Sequence, residues 1–407
     1  MNLNKGFEDL TTITRETDTR DELSHAYRQG LERGFDKTLI IDCDAHVTED
    51  DHWAEVLEYV PSSVYKHLGL SALDKNGRGP NGLSNYQPGL AYQSAGGRIP
   101  HTMRSLEDTS SSKVHRQAEL IGRAMDAMFI DYMVCFPTPM LFLGTHPQPE
   151  VEVELAIAFN RWLCERVLPE DDRLIGLLYL PFNTPEACPK IIEEFGDKKG
   201  VVGFTCASVR YQAVHSNRYM RTYSMLQERN LPLTFHAAHN WQDGSIGQLN
   251  RFLSMHAISF VHCNIIHLTN WIVNGLPERF PNLKVMWIES GLAWVPYLMQ
   301  RLDHEYMMRT SEAPLLKRLP SEYMRDMFFS SQPMETMDQR LTEVTFDVMN
   351  AKDQLCWASD WPHWDFDAPS VIWDLPFIDE DTKRNILGRN AARFFNLKDP
   401  YAHLYNK

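Results

Sequence analysis

The chain has 407 residues, 43% of them hydrophobic and 23% charged, which is the ordinary composition of a globular protein with a large core. Its formal net charge of −14 argues against nucleic acid and anionic membrane surfaces as partners, but leaves an acidic small molecule open as a substrate. The seven cysteines include no Cys-x-x-Cys pair, so we expect reduced thiols and a cytoplasmic protein. No run of residues approaches the roughly 18 apolar residues of a membrane helix, and the polar N-terminus does not resemble a signal peptide.

A charged segment, residues 1–37, is predicted to be an extension in front of the first strand. Its pattern is helical over about 21–34, where a glycine ends the helix. The sequence leaves open whether this extension is a dimer arm or a solvated flap.

The first predicted strand begins at Leu39 as an apolar, β-branched run, which is typical of a strand buried on both faces. It ends in an Asp-x-His-x-x-Glu pattern formed by Asp44, His46 and Glu49. Because side chains two residues apart on an extended backbone point to the same side, we expect Asp44 and His46 to face one point, with Glu49 close behind. This pattern indicates the beginning of a metal site.

A long segment rich in Gly, Ser, Pro and Asn, roughly 60–112, separates this strand from the next helix. Loops of this length are usually functional or disordered, so we predict either a lid or a surface insertion. Apolar strands then alternate with helical patterns to the end of the chain. The further strands are predicted at 132–137, 174–180, 201–205, 231–236, 283–289, 327–331 and 355–360. The helices are predicted at about 114–129, 149–167, 185–195, 218–229, 253–274, 291–308 and 380–394.

Eight strands alternating with helices predict parallel βα units of the α/β class. We therefore predict a (β/α)8 TIM barrel over residues 38–396, with the N-terminal helical extension before it, a long loop after the first strand and a C-terminal tail over 397–407. A doubly wound open sheet is the alternative, but no Gly-x-Gly-x-x-Gly follows a strand. In a TIM barrel the chemistry lies at the C-terminal ends of the strands.

Polar side chains stand at four of these strand ends. Carboxylates and imidazoles are ligands of Zn, Mn and Fe, so we predict a site for one or two divalent metal ions per chain. The predicted ligands are Asp44, His46, Glu49, His236, His267, Glu289 and Asp360.

Glu49 and His267 each have a second interpretation. Glu49 is either a ligand that bridges two metals or an acid in the first turn of a helix. His267 lies in a long helix and either leans over the barrel mouth or packs in the core. His239 and Arg210, which follow the fifth and fourth strands, are candidate substrate-binding residues.

Several runs of residues in order resemble the amidohydrolase-related group of the amidohydrolase superfamily, in the branch of aminocarboxymuconate-semialdehyde decarboxylase. The resemblance covers about 38–396. The matching runs are Asp-Cys-Asp-Ala-His-Val-Thr-Glu at 42–49, Phe-His at 235–236, Asn-Gly-Leu-Pro-Glu-Arg-Phe-Pro-Asn-Leu-Lys at 274–284, Ser-Asp-Trp-Pro-His at 359–363 and Leu-Gly-Arg-Asn-Ala-Ala-Arg-Phe-Phe at 387–395.

The resemblance implies that His46, His236 and the position of Asp44 hold the metal. It further implies that Asp360 binds metal and handles a proton, and that His363 faces the site or the substrate. The chain departs from the superfamily pattern in three ways. Asp44 replaces the first histidine of His-x-His, Glu289 replaces the sixth-strand histidine that is catalytic in the decarboxylase relatives, and the fourth strand has no lysine.

From this set we expect first a metal-dependent hydrolase that uses a metal-activated water on a small polar substrate, with Asp360, Glu289 and His363 as catalytic residues. Non-oxidative decarboxylation of an aromatic or unsaturated acid is an alternative implied by the relatives. The large number of carboxylates gives a further alternative, an oxygen-dependent hydroxylase with a dinuclear Fe or Mn site. The last alternative is a non-catalytic partner subunit. We expect an oligomer, either of identical chains or with a related chain.

Overall fold

The computed structural model of the protein describes residues 18–73, 75, 109, 112–207, 212–240 and 243–405. It contains eight parallel strands whose order in the sheet is their order in the chain. They are β1 (Ile41–Val47), β2 (Tyr132–Pro137), β3 (Leu174–Tyr179), β4 (Val201–Ala207), β5 (Leu233–His236), β6 (Val285–Ile288), β7 (Phe328–Ser330) and β8 (Leu355–Cys356). The predicted (β/α)8 barrel is confirmed, and the predicted strands are each found within a few residues of their expected ends.

The sheet closes by contacts between β1 and the segment that follows β8. The N–H of Cys43 donates to the carbonyl of Trp357 at 3.2 Å, and the N–H of His46 donates to the carbonyl of Trp361 at 2.8 Å. Ala45 and Trp361 form a parallel bridge. Because this closure lies beside Asp44 and Asp360, it brings the two ends of the barrel sequence to one point.

Helices separate the strands. Between β1 and β5 they are α2 (Trp53–Glu58), α3 (Ser63–Ser71), α4 (Arg116–Met128), α5 (Pro149–Trp162), α6 (Cys188–Phe195) and α7 (Met220–Glu228), and α1 (Thr19–Arg33) precedes β1. From β5 to β8 they are α8 (Phe252–Val273), α9 (Leu276–Arg279), α10 (Trp294–Arg309), α11 (Pro320–Met324), α12 (Gln339–Met349) and α13 (Ala351–Gln354). After β8 they are α14 (Ser370–Trp373), α15 (Glu380–Arg384), α16 (Asn390–Phe395) and α17 (Ala402–Tyr405).

Two helices in these connections were not predicted, and most of the predicted long loop at 60–112 lies outside the described residues. The segment after residue 60 was predicted to be irregular, but its described part contains α3, which the Ser62 side chain caps by accepting the N–H of Tyr65 at 3.4 Å. Helix α12 was not predicted, although the side chain of Asp338 caps it. In both cases one serine or aspartate begins a helix whose apolar pattern is too short to stand out from a loop.

The N-terminal extension packs on the barrel helices over its described part. The ring of Tyr27 stacks on Phe129 with centroids 5.4 Å apart, and Leu23 is buried. Arg33 forms a bidentate pair with Asp374, at 2.8 and 2.6 Å. These contacts favour a fixed element over a solvated flap for the part from residue 18 onward.

Helix α8 is the one helix among the described residues that is long and apolar enough, by length and composition alone, to cross a bilayer. Its mean hydropathy is 1.2 over the most apolar stretch. The helix connects β5 to β6, and its Leu268 and Trp271 are buried in the core. The core helix of a barrel passes the same test.

An irregularity in β1 aims the site residues. Between the pairs Asp42–Met133 and Ala45–Cys135, three residues of β1 advance against two of β2, so β1 carries one extra residue. Cys43 packs in one apolar cluster and Ala45 in another. A bulge re-aims the side chains beyond it. Because of the bulge, the consecutive side chains of Cys43 and Asp44 both face the inside of the barrel.

Candidate metal centre

Four buried side chains from three strand ends meet at the barrel mouth. Asp44, His46, His236 and Glu289 each offer a ligand atom, and these atoms all lie within 4.8 Å of one another. Asp44 Oδ1 lies 3.4 Å from His46 Nε2 and 3.3 Å from His236 Nε2. His236 Nε2 is also 3.2 Å from Glu289 Oε2. The predicted joining of these strand ends is thus present in the fold.

The two imidazoles are oriented by backbone carbonyls. His46 Nδ1–H donates to the carbonyl of Pro137 at 2.9 Å, and His236 Nδ1–H donates to that of Ala237 at 2.7 Å. Each ring therefore directs the lone pair of its Nε2 toward the carboxylates. Metal-bound histidines show this second hydrogen bond almost always, because it fixes the tautomer.

Asp360 and His363 extend the cluster on the side of His46. Asp360 Oδ1 lies 3.0 Å from His46 Nε2 and 2.7 Å from His363 Nδ1. The rings of His46 and His363 are 4.4 Å apart between centroids. His46, Asp360 and His363 form a second group with ligand spacing. The two groups share His46.

Glu289 and Asp360 have left-handed backbone conformations, with φ of 50° and 62°. Residues other than glycine rarely adopt these angles, and such strain concentrates at functional sites. Both residues are held there. The N–H of Glu289 donates to Ser330 Oγ at 3.0 Å, and the N–H of Asp360 donates to the carbonyl of Asp44 at 2.7 Å. The fold therefore holds these two carboxylates at the mouth.

Asp42, which the sequence did not single out as a site residue, holds β1 to the β8 end. Its Oδ1 accepts the N–H groups of Asp44 and Ser359 at 3.0 and 2.9 Å, and its Oδ2 accepts the Ser359 hydroxyl at 2.5 Å. Burial raises the pKa of Asp42 to about 7, although Ser359 opposes the shift. The Asp-x-Asp-x-His spacing, read together with Ser359, is the signal that could have found it.

The electrostatics of the centre follow from burial and proximity. Burial raises the pKa of Glu289 well above its ordinary value, and it raises that of Asp360 as well. Burial also acts to raise the pKa of Asp44, but the imidazoles of His236 and His46 hold it well below the ordinary value. Burial lowers the pKa of His46, yet Asp360 and Asp44 together raise it to about 10. Positive charge is therefore favoured at this point.

The donors fit a divalent metal ion. Asp44 Oδ1 and Oδ2, His46 Nε2, His236 Nε2 and Asp360 Oδ2 are buried and have no hydrogen-bond partner within the part of the chain that the structure describes. Buried polar atoms without partners are costly, and a cation held by Asp44, His46 and His236 would satisfy the atoms of those three residues at once. A mixed set of imidazoles and carboxylates suits Mn, Fe or Zn. The predicted metal class is therefore consistent with the geometry.

Glu49 is not brought into either group. Its Oε2 accepts the N–H of Thr138 and its Oε1 accepts the N–H of Met140, both at 2.9 Å. With both oxygens committed to backbone donors, the predicted ligand role of Glu49 is not supported by the structure. The cause is the 3₁₀ turn Glu49–His52, which points the carboxylate at the end of β2.

The remaining predicted residues are placed as follows. His267 is buried on α8, stacks on Phe235 with centroids 6.4 Å apart, and belongs to neither ligand group. His239 is buried with the ring of Phe142 5.1 Å away, and burial, together with His256 and His363, lowers its pKa to about 3. Arg210 lies outside the described residues.

A separate cluster of His52, Glu55 and His115 also has ligand spacing, but its carboxylate already accepts hydrogen bonds from neighbouring side chains. His115 Nδ1 accepts the N–H of Gln117, so its Nε2 carries the proton and donates to Glu55 at 3.0 Å. His52 Nδ1 lies 3.1 Å from the other Glu55 oxygen, and Trp162 Nε1–H donates at 3.1 Å. The carboxylate has three donors, and His115 directs a proton at it instead of a lone pair. This cluster is a hydrogen-bonded network, unlike the barrel centre.

The amidohydrolase family model matches residues 41–397. A relative by sequence is the γ-resorcylate decarboxylase of Rhizobium sp. (strain MTP-10005), which is 22% identical over 264 residues that cover 62% of this chain and 79% of the relative. The match over most of the barrel agrees with the resemblance predicted from the motifs.

Solved structures with the same fold include an amidohydrolase and a decarboxylase. An amidohydrolase from Mycobacterium avium subsp. paratuberculosis K-10 superposes with a TM-score of 0.67 at 18% identity, covering 88% of this chain and 99% of that one. A dihydroxybenzoic acid decarboxylase from Polaromonas sp. JS666, solved with bound manganese and the inhibitor 2-nitroresorcinol, superposes with a TM-score of 0.61 at 17% identity, covering 90% and 99%. At these identities the likeness establishes the barrel and not the reaction.

Proposed function

The chain belongs to the amidohydrolase family, and on that premise we propose that it is a metal-dependent decarboxylase that removes the carboxyl group of a hydroxylated aromatic acid without an oxidant. Two kinds of support agree. The names of the relatives include decarboxylases of γ-resorcylate and dihydroxybenzoic acid, one of them solved with manganese. The centre offers a metal-ligand set with an additional carboxylate, Asp360, beside it. Decarboxylation therefore replaces hydrolysis as the leading hypothesis.

Asp44, His46, His236 and Glu289 would hold the cation. When bound, it would act as a Lewis acid toward the carboxylate of the substrate and a neighbouring phenolic oxygen. The contribution of the protein itself begins with orienting its own carboxylates. The strained, hydrogen-bonded backbone at Glu289 and Asp360 keeps both carboxylates at the mouth before any substrate arrives.

The observation that carries the proposal is the position of Asp360. Its Oδ1 accepts the Nδ1–H of His363 at 2.7 Å and lies 3.0 Å from His46 Nε2, and its buried Oδ2 has no partner among the described residues. We assign Asp360 as the acid. Its proton goes to the ring carbon that bears the carboxylate, and the bond to that carboxylate breaks. The electron pair of the bond stays with the ring, carbon dioxide leaves, and water then reprotonates Asp360.

Hydrolysis remains the second candidate because Glu289 replaces the sixth-strand histidine that is catalytic in the decarboxylase relatives. In hydrolysis Asp360 would take a proton from water instead of giving one to carbon. The two reactions are distinguished by their products, since decarboxylation releases carbon dioxide and hydrolysis does not. Oxygen-dependent hydroxylation would consume dioxygen, and a non-catalytic partner chain would show neither change.

The test uses the purified full chain loaded with manganese. We expect release of carbon dioxide from benzoic acids that carry a hydroxyl next to the carboxyl group, and none from the matched acids without that hydroxyl. In deuterated water we expect deuterium to enter the phenolic product at the same ring carbon. If neither signal appears while esters or amides are cleaved, decarboxylation is wrong and hydrolysis is correct.

A further inference from the structure

A group of aromatic and imidazole rings stands beside the metal centre at the barrel mouth. The rings come from the segments that follow β2, β5 and β8 and from the N-terminal half of α8. We call this group the ring wall, and its members are Phe142, His239, Phe252, His256, Phe260 and Trp364. All but His239 and Phe260 are only partly buried, so the wall presents ring surface to a ligand as well as to the core.

The rings of the wall contact one another in series. The ring of His239 lies 5.1 Å from that of Phe252 and 6.0 Å from that of His256, between centroids. His256 in turn lies 5.2 Å from Phe260 and 6.1 Å from Trp364. Trp364 belongs to the segment after β8, and the other three precede β6. His256 is therefore the ring that joins the β5 side of the mouth to the β8 side.

Both sides of the ring wall adjoin the metal centre. Phe260 packs in one apolar cluster with Ala237, the residue that follows the candidate ligand His236. On the other side Trp364 directly follows His363, whose imidazole lies 2.7 Å from the proposed acid. A molecule held at the centre by its carboxylate would therefore have the wall beside the rest of its body.

The chemistry of the wall suits an uncharged aromatic body. Aromatic rings gain from offset and edge-to-face contacts with a further ring. None of the six side chains is a lysine or an arginine, so a second carboxylate on the substrate would lie against apolar rings at a high desolvation cost. The wall nevertheless has polar atoms, which are the nitrogens of His239, His256 and Trp364. A neutral substituent that forms hydrogen bonds therefore fits this surface better than a charged one.

We propose that the ring wall binds the aromatic ring of the substrate, and that His256 determines specificity by hydrogen bonding to a hydroxyl opposite the carboxyl group. His256 is only partly buried, and its neutral imidazole has one donor and one acceptor, both of which a hydroxyl can match. The placement of the carboxylate at the centre rests on the proposed function. The substrate class is then a monocarboxylic acid with one hydroxyl beside the carboxyl group and another opposite it.

The experiment measures binding without turnover, by calorimetry on the full chain loaded with manganese. The probes are benzenesulfonates, because a sulfonate cannot leave as carbon dioxide. One probe is ortho-hydroxybenzenesulfonate, and the other carries a second hydroxyl para to the sulfonate. We expect the parent to bind the dihydroxy probe about 3–10-fold more tightly, which is the size of one net hydrogen bond. A carboxylate at the para position should instead weaken binding below that of the monohydroxy probe.

Two variants of His256 separate specificity from folding. His256→Leu should bind both hydroxylated probes equally, with the affinity of the parent for the monohydroxy probe, which also shows that the mouth is intact. His256→Gln should recover part of the preference, since its amide again supplies a donor and an acceptor. Equal affinities in the parent, or an unchanged preference in His256→Leu, would overturn the proposal.

His262→Leu is the matched control on the same helix. His262 lies outside the ring wall, and its Nε2 is 2.7 Å from Ser245 Oγ. This variant should keep the preference of the parent, and its loss there would show that any change in α8 has the same effect, which contradicts a specific role of His256. Carbon dioxide release is assayed separately, so failure of the preference and failure of decarboxylation are different results.

Discussion

Glu49 accepts the backbone N–H of Met140 at 2.9 Å, so the carboxylate holds the chain that leaves β2. Its other oxygen accepts the N–H of Thr138, and the Thr138 hydroxyl donates to the carbonyl of Val47 at 2.9 Å. The residue before Thr138 is Pro137, whose carbonyl orients His46. Glu49 thus positions His46, one of the candidate metal ligands.

We expect Glu49→Gln to weaken binding of Mn at the barrel mouth by about 10–100-fold, the range typical of lost outer hydrogen bonds around a metal. The glutamine amide cannot accept both N–H groups in this geometry, because its NH2 group is a donor and only its oxygen accepts. Calorimetric titration measures the change. Glu150→Gln, at an exposed glutamate in the first turn of α5, is the control and should bind as the parent does. Equal affinities in all three proteins would show that Glu49 does not position His46.

Asp360→Asn tests the acid. We expect the decarboxylation rate to fall by about 10²–10⁴-fold, the usual contribution of a positioned acid or base. Mn content is measured on the same sample, since Asp360 also adjoins the metal group. Asp367→Asn is the control, because Asp367 Oδ2 accepts the N–H of Met334 at 2.9 Å and belongs to neither ligand group, and it should keep its rate. Full turnover by Asp360→Asn with Mn still bound would show that the proton comes from elsewhere.

Metal binding should stabilise the folded chain, because the cation satisfies buried donors that have no partners in the described structure. At a free Mn concentration 100 times the Kd, the expected gain is about 2.7 kcal/mol. For a chain of 407 residues this corresponds to a rise in the melting midpoint of about 3 °C. His236→Ala should melt at the same temperature with and without Mn. A rise of the same size in that variant would place the stabilising metal elsewhere.

The network at Glu55 predicts a pH-dependent contribution to stability. Hydrogen bonds from His115 and His52 hold the pKa of Glu55 well below its ordinary value of 4.5. A lowered pKa in the folded state gives stability that is present above pH 4.5 and is lost as the pH falls through the folded value. For this partly exposed group we expect Glu55→Gln to reduce the free energy of unfolding by about 1–2 kcal/mol at pH 7.

Urea unfolding at pH 7 and at successively lower pH measures this effect. The difference between the parent and Glu55→Gln should be full at pH 7 and shrink as the pH falls below 4.5. Glu58→Gln, on the exposed side of the same helix, should leave stability unchanged. A difference that grows toward acid would mean that the carboxylate is not the ionised partner.

Much of this protein follows from local pattern. Buried parallel strands read as short apolar runs, and a polar residue at the end of such a run stands out, so the barrel and the set Asp44, His46, His236, Glu289 and Asp360 could be predicted. Family motifs at these same strand ends support the assignment. The long helix α8 could also be predicted, because its apolar pattern continues for about six turns.

The direction of a side chain depends on contacts between distant residues, and these the sequence could not supply. The extra residue in β1 is visible only against β2, and it decides that Asp44 faces inward directly after Cys43. Glu49 has the spacing of a ligand, but the turn after β1 gives its oxygens to Thr138 and Met140. Residue type and strand position are properties of the chain, so they were enough to predict the residues of the candidate metal centre. The direction of a side chain and its hydrogen-bond partners depend on how the elements pack. Only the tertiary structure therefore decided that Glu49 binds backbone N–H groups beside the centre and is not part of it.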